Sequence, residues 1–390
     1  MTTNLTPAVQ RVVDSVRRLV REGALPPGSP LPAENDLAET LEASRNTIRR
    51  AIPVLVQQGV IERRPYARPV VRSARVTAGL PGRFDIHVWV CHTIGDDGTL
   101  AFLRALSKAL ARTPYRVSVR EPSERGEAAY AEERRFLVDA LHSSSTAGVV
   151  LIRDPYADNR DVLDEFIKLG IPLLFVDGGI PAGLRADFVG TANTVAAQRV
   201  VESLIEMGHQ RIAFLADDLV PPANAERMRG YRRAMTQARL TPVVLEASVL
   251  PPEPTVSRPA AGPFVERLER RDYFGILASR LTGALLELDP RPTAILAACD
   301  ALAFNLCAYL EGAGMEIPAQ MSIAGFDGLS RFGIAVADSL TTCEQDFEGF
   351  GTYAASLILD HIESGESLEP RRVLLNAPIS VRASTIPAIS

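Results

Sequence analysis

The chain reads as a doubly wound α/β body preceded by a small helical module, and three observations carry that reading. From residue 84 onward, short apolar runs alternate with helix-period segments, the rhythm of buried parallel strands joined by crossover helices. The first 73 residues have another rhythm, three helical stretches and then an alternating one. Charge divides at the same place. Residues 1–75 hold 12 Arg, no Lys and 7 Asp+Glu, a net of +5, which leaves −10 on the other 315 residues of a chain whose net charge is −5. A basic module on an acidic body fits nucleic-acid binding by the first part alone.

Residues 8–22 form an amphipathic helix that "ALPPGSPLP" (24–32) ends with four prolines and a glycine. A second helix covers "AENDLAETL" (33–41). The turn "EAS" then leads to Ser44, placed to cap a third helix. In "SRNTIRRAI" (44–52) and just beyond, Ile48, Ile52 and Leu55 share one stripe, while Arg45, Asn46 and Arg49 point away from it. Pro53 removes a backbone hydrogen bond inside this helix, so a bend or break is expected just past those residues. After Gly59, "VIERRPYARPVVR" alternates as a small hairpin with Arg63 and Arg64 at its root. Helix, helix, tight turn, helix, hairpin is the order of a winged helix-turn-helix. It occupies 1–73, and "SARVTAGLPG" (74–83) is a linker. The third helix would enter a major groove, where Arg45 and Arg49 donate to guanine edges and Ser44, Asn46 and Thr47 meet phosphates or bases. Arg63 and Arg64 would meet the backbone.

In the body, strands are expected at 86–90, 148–152, 172–176, 211–216, 293–299 and 322–326. Helices are expected at 100–112, 128–142, 159–169, 194–207, 224–238, 273–288, 301–313 and 347–364. The proline-rich stretch 250–272 is a surface loop or insertion. Asp177, Asp300 and Asp327 each stand where a strand ends, which is where open α/β sheets bind ligands. Carboxylates there accept hydrogen bonds from hydroxyls. Asp300 has capping of the next helix as its alternative role. Asp96, in "HTIGDDG" after the first strand, is a further candidate, with turn chemistry as its alternative. Trp89 alternates with strand neighbours as a core residue, and His209 reads as a structural turn residue.

Several function classes lack their signals. GxSxG, P-loop, GxGxxG and HExxH are absent, and the histidines at 87, 92, 142, 209 and 361 have no metal spacing. No catalytic residue, metal or cofactor is therefore expected. The strand-end acids still leave general acid–base chemistry formally open. Cysteines 91, 299, 307 and 343 include no CxxC pair, as in reduced proteins. With no apolar run of 18 residues and no basic start before an apolar segment, a cytoplasmic chain with no membrane contact is expected.

"LPPGSPLPAENDLAETLEASRNTIRRAIPVLVQQGVIERR" (25–64) resembles the DNA-binding domain of the GntR regulator family. The body resembles the effector domain of LacI/GalR-type regulators, which share the fold of periplasmic sugar-binding proteins. That likeness rests on "EMGHQRIAFLAD" (206–217), "NAERMRGYRRAM" (224–235), "PTAILAACDALAF" (292–304), "MSIAGFDGLSRF" (321–332) and "LTTCEQDFEGFG" (340–351). The combination resembles the arabinose-operon repressor type of bacterial regulator. It implies a body at 84–390 in two lobes, 84–183 plus 344–366 and 184–343 plus 367–390. It also implies that Arg227 and Asp327 hold a ligand, with Asp177 opposite them. Where the family often has Asn-Asp, this chain has Cys299-Asp300. The wing lacks the family's glycine-rich tip. The resulting expectation is a repressor that binds double-stranded DNA at a palindromic operator as a homodimer, controlled by a small polar effector of the sugar class. A cytoplasmic solute-binding protein and a sugar-acting enzyme with a regulator-like head are the alternatives.

Overall fold

The computed structural model describes residues 9, 11–13, 15–16, 19, 25, 29–41, 43–57, 60–62, 68–71, 84–91, 96–123, 126–219, 221–251, 272–328, 339–364 and 369–388. In the head, helical residues within 9–19 (α1) precede α2 (Glu34–Thr40) and α3 (Arg45–Gln57). Strands β1 (Ile61–Glu62) and β2 (Val70–Val71) pair antiparallel, with Ile61 opposite Val71. Pro30 bridges to Val70, and the Leu31 N–H donates to Pro69 O at 2.7 Å. The proline-rich break therefore runs along the hairpin. Val13, Leu31, Leu37, Ile48, Leu55, Ile61 and Val71 close one core. Each such side chain contributes about 1.5–3 kcal/mol relative to exposure.

Of the bend or break expected at Pro53, the break does not occur: α3 runs 13 residues through it without interruption. The bond that Pro53 cannot make is the one to the Arg49 carbonyl. Both residues lie on the exposed face, where water satisfies the freed oxygen.

The body starts with β3 (Phe84–Val90), α4 (Asp96–Leu110), β4 (Tyr115–Arg120), α5 (Glu127–His142), β5 (Thr146–Ile152), α6 (Arg160–Leu169), β6 (Leu173–Val176) and β7 (Asp187–Thr191). It continues with α7 (Asn193–Glu206), β8 (Ile212–Ala216), α8 (Pro222–Gln237), β9 (Val243–Glu246), α9 (Asp272–Leu286), β10 (Ala294–Ala297), α10 (Asp300–Gly312) and β11 (Ser322–Asp327). It ends with β12 (Thr341–Glu344), α11 (Phe347–Ser364), β13 (Arg372–Leu375) and β14 (Ile379–Ser380). One six-stranded sheet has the order β13-β7-β6-β5-β3-β4 and is parallel throughout. The other has the order β14-β12-β11-β10-β8-β9 and is parallel except for β14. Helices cover both faces of each sheet. Phe102 of α4 and Phe350 of α11 pack on one side of the first, and Phe136 of α5 and Phe166 of α6 on the other. In the second, α7 and α8 pack opposite α9 and α10. Every residue of β6, β8 and β10 is buried, which is why these strands appear in the sequence as unbroken apolar runs.

The expected lobe boundaries need correction. β7 and β13 lie in the first sheet, with Phe175 opposite Phe188 and Val189 opposite Val373. The first lobe thus reaches Thr191 and regains 372–375, whereas 184–191 had been placed in the second. No helix separates β6 from β7, so the strand–helix alternation that marks the other strands is missing there. Glu344, the last residue of β12, stays with the second sheet. The chain passes between sheets after Thr191, after Glu344 and after Leu375. The Ala192 N–H donates to Leu375 O at 2.8 Å, which ties two of these passages together.

Candidate functional sites: the head helix and the interlobe cleft

Ser44 caps α3 as expected. Its Oγ accepts from the Thr47 N–H at 3.1 Å and lies 2.8 Å from Thr47 Oγ1. Ile48, Ile52 and Leu55 are buried, whereas Arg45, Asn46, Arg49 and Arg50 are exposed. The cap and the apolar stripe together fix which side of α3 faces outward. Arg49 is engaged, its Nε donating to Glu34 Oε2 on α2 at 2.9 Å. This pair is open to water and adds little stability, but it sets the direction of the guanidinium. Arg63 and Arg64 lie outside the described residues.

In the body, the carboxyl ends of both sheets face a cleft, and Arg227 on α8 is its hub. Arg227 is 4% exposed. Its Nε donates to Asn193 Oδ1 at 2.9 Å and its Nη1 to Ala298 O at 2.6 Å. Nη2 stands 3.5 Å from Asp327 Oδ1, and the guanidinium carbon sits 3.8 Å above the Phe326 ring. Asp327 ends β11 with a positive φ of 132°. Burial pushes its carboxyl up to about 8, helped by Asp300 and Asp177 and opposed by Arg227. Asp177 lies across the cleft after β6, at φ 58°. Burial raises its pKa as well, against the pull of Arg227, and its Oδ1 is enclosed without a partner among the described residues.

Asp177, Arg227 and Asp327 thus converge, as the strand-end argument expected. Asp300 sits deeper, 1% exposed, its Oδ1 accepting from Thr342 Oγ1 at 2.7 Å. It occupies the first turn of α10, and the capping position belongs to Cys299, which makes no side-chain cap bond. The Asp300 oxygen takes the space that a side chain on Gly325 would fill, 2.1 Å from where that Cβ would stand. Asp96 is the first residue of α4, and its side chain lies outside what is described. Trp89 is core, 2% exposed and 5.3 Å from Phe136. His209 is structural, its ring nitrogens bound to Thr293 Oγ1 and Ile386 O.

Four residues of the cleft were not singled out from the sequence. Asn193 orients Arg227 and follows β7, a strand that had no visible signal. Gln345 Nε2 donates to Asp327 Oδ1 at 2.8 Å, while its Oε1 accepts from Thr191 Oγ1. One side chain thus links the acid of the second lobe to the passage out of the first. Glu226 meets Arg372 of β13 across the lobes at 3.3 Å. Asp217, after β8, accepts from Asn224 at 2.8 Å, and burial raises its pKa. Its place at a strand end was the available signal. No group of three His, Cys, Asp or Glu among the described residues is arranged to hold a metal ion.

Two family models match this chain. Residues 8–71 match the bacterial regulatory proteins of the gntR family, and residues 201–385 match the periplasmic binding protein-like domain. The HTH-type transcriptional repressor PurR of Vibrio atlanticus is 26% identical over 260 residues, 66% of this chain and 70% of that protein. The HTH-type transcriptional regulator CelR of Thermobifida fusca is 30% identical over 226 residues, 57% of this chain and 58% of that protein. A LacI family transcriptional regulator from Enterococcus faecium, solved with bound ribose, superposes with a TM-score of 0.57. It is 22% identical and covers 78% of this chain and 100% of its own, a likeness of fold. Head and body thus match two different family models, the head that of the gntR-family regulatory proteins and the body that of the periplasmic binding protein-like domain.

Proposed function

We propose that this chain is a sequence-specific DNA-binding transcription regulator, a repressor, controlled by a small polar effector of the sugar class held between its two lobes. One observation carries the reading. A capped helix presents Arg45, Asn46 and Arg49 outward on the same chain as a cleft in which Asp177 and Asp327 face a buried Arg227. The gntR-family head, the repressor among its relatives and the ribose in a structural neighbour all support it.

The head spans 1–73, the linker 74–83 and the body 84–390. Arg45 and Arg49 read guanine edges, each worth about 1–3 kcal/mol of discrimination. Ser44, Asn46 and Thr47, with Arg63 and Arg64 of the hairpin, position the head on phosphates. In the body, Asp177, Arg227 and Asp327 hold the effector, Asp96 borders it and Asp300 supports Asp327 from behind. Gln345 joins Asp327 to the first lobe, so occupancy of the cleft alters the passages between lobes. The fold pairs as a homodimer on a palindromic operator in the cytoplasm. A coupling of about 1–3 kcal/mol between effector and operator suffices for control.

Fluorescence anisotropy with palindromic fragments from beside its own gene tests this. Arg45→Ala and Arg49→Ala each weaken binding to the specific site by about tenfold or more. Affinity also falls steeply with added salt, as counterion release requires. Operator binding unchanged in both variants would remove the DNA half of the reading.

A further inference from the structure

Among the described residues, the cleft gathers more carboxyl groups than cations. Asp177, Asp217, Asp300 and Asp327 stand at the carboxyl ends of β6, β8, β10 and β11, and Glu226, itself paired with Arg229 and Arg372, joins them from α8. They surround one guanidinium, that of Arg227, whose Nε, Nη1 and Nη2 already face Asn193, Ala298 O and Asp327. The neighbouring arginines are committed too. Arg372 is held by Glu226 and lies 4.4 Å over the Phe188 ring. Arg153, whose carbonyl is 2.5 Å from where a Cβ on Gly178 would stand, is paired with buried Glu133 at 3.0 Å. Among the described residues, little cationic donor capacity is left for an anionic ligand. Asp177 Oδ1, by contrast, is shut off from solvent and has no partner among the described residues.

From this geometry we infer that the effector carries a protonated amine, an aminated polyol of the amino-sugar class whose ammonium sits against Asp177. The inference rests on the regulator reading above and narrows its ligand. An ammonium brings three donors to a set of acceptors. Its charge-assisted bond to a carboxylate is about twice as strong as a neutral one. A buried carboxylate without a partner is costly, so the amine relieves a penalty that a hydroxyl relieves only in part. A phosphate in the same place meets carboxylates with no free guanidinium among the described residues to offset them. The hydroxyls of such a ligand are met by Asp327 and the remaining N–H groups of Arg227.

Calorimetric titration of the full chain with matched triplets decides the matter: hexose, 2-amino-2-deoxyhexose and hexose 6-phosphate, in the gluco, galacto and manno series. In at least one series the amine binds about tenfold more tightly than the neutral sugar, and the phosphate does not bind. Asp177→Asn cancels that preference, so that the amine binds the variant no more tightly than the matched neutral sugar does. Asparagine tolerates the positive φ at this position, and a melting curve checks that the variant is folded. Should it unfold, Glu226→Gln reduces the same preference by a smaller factor. A neutral sugar bound as tightly as its amine, a preferred phosphate, or no binding by any member overturns the inference. A preferred neutral sugar or phosphate that still changes operator affinity leaves the regulator reading standing. Failure of the same preparation to bind any operator fragment is the separate result that sinks that reading.

Discussion

Asp327 concentrates the chemistry of the cleft. An unfolded aspartate titrates near about 3.9, whereas this one is pushed up to about 8, first by burial and then by Asp300 and Asp177, with Arg227 opposing. The native state therefore holds a proton that the unfolded chain releases. The associated stability is complete below the unfolded value and is lost as pH rises toward 8. Without effector, the melting temperature should fall between pH 5 and pH 8 more steeply than in Asp327→Asn, which mimics the protonated form at every pH. Thermal melts at stepped pH check this, and parallel curves for the two proteins would refute it. Cys299 follows the same electrostatics. Burial, with Asp327 and Asp217 beside it, lifts its thiol well above the usual range. At neutral pH it is thus a neutral group beside two cleft carboxyls.

Helix α3 shows how far local rules reach. Its cap, its apolar stripe and its outward arginines were all legible, because each depends on residues within four positions of one another. The effect of Pro53 was not, since a lost bond divides a helix only if the freed carbonyl cannot reach water. Proline in a helix interior costs about 3 kcal/mol relative to alanine. Pro53→Ala should therefore raise the melting temperature of the head while leaving operator affinity within about twofold, because Pro53 lies beyond the residues proposed to read DNA. Calorimetry and anisotropy on the full chain measure both, and an unchanged or lowered melting temperature would count against it. Strand β7 is the converse case. All five of its residues are buried, yet "DFVGT" carries an acid, a glycine and a threonine. Asp187 is there for a tertiary reason, since it accepts from the Arg371 N–H at 2.7 Å and meets His361 at 3.0 Å. With the strand unseen, Asn193 just beyond it passed unseen too.

The two lobes meet through contacts between segments far apart in sequence. Gly179, on the loop after β6, has φ 84°, and a Cβ there would stand 2.7 Å from Pro222 Cγ at the start of α8. Glu226 and Arg372 meet beside it. Gly179→Ala should hold the lobes apart, weaken effector binding and enlarge the radius of gyration measured by small-angle scattering. Gly183→Ala is the control. Its φ of 76° imposes a similar backbone cost of about 1–3 kcal/mol, but its Cβ would meet only Arg160, no nearer than 3.8 Å. If both variants bind effector alike, the Gly179 contact has no part in closure.

Periodicity, strand-end acids and the arginine stripe were readable from residue order, since they reflect forces between near neighbours and the need of each element to bury one face. They were enough to place a basic reading head before an acid-lined α/β body. Which lobe owns β7 and β13, which donors surround Arg227, and that Gln345 joins Asp327 to Thr191 were decided by the folded molecule alone. These depend on chain segments 18 to 184 positions apart meeting at the passages between two sheets. No local pattern encodes such a meeting, because the free energy that selects it comes from burying both sheets at once.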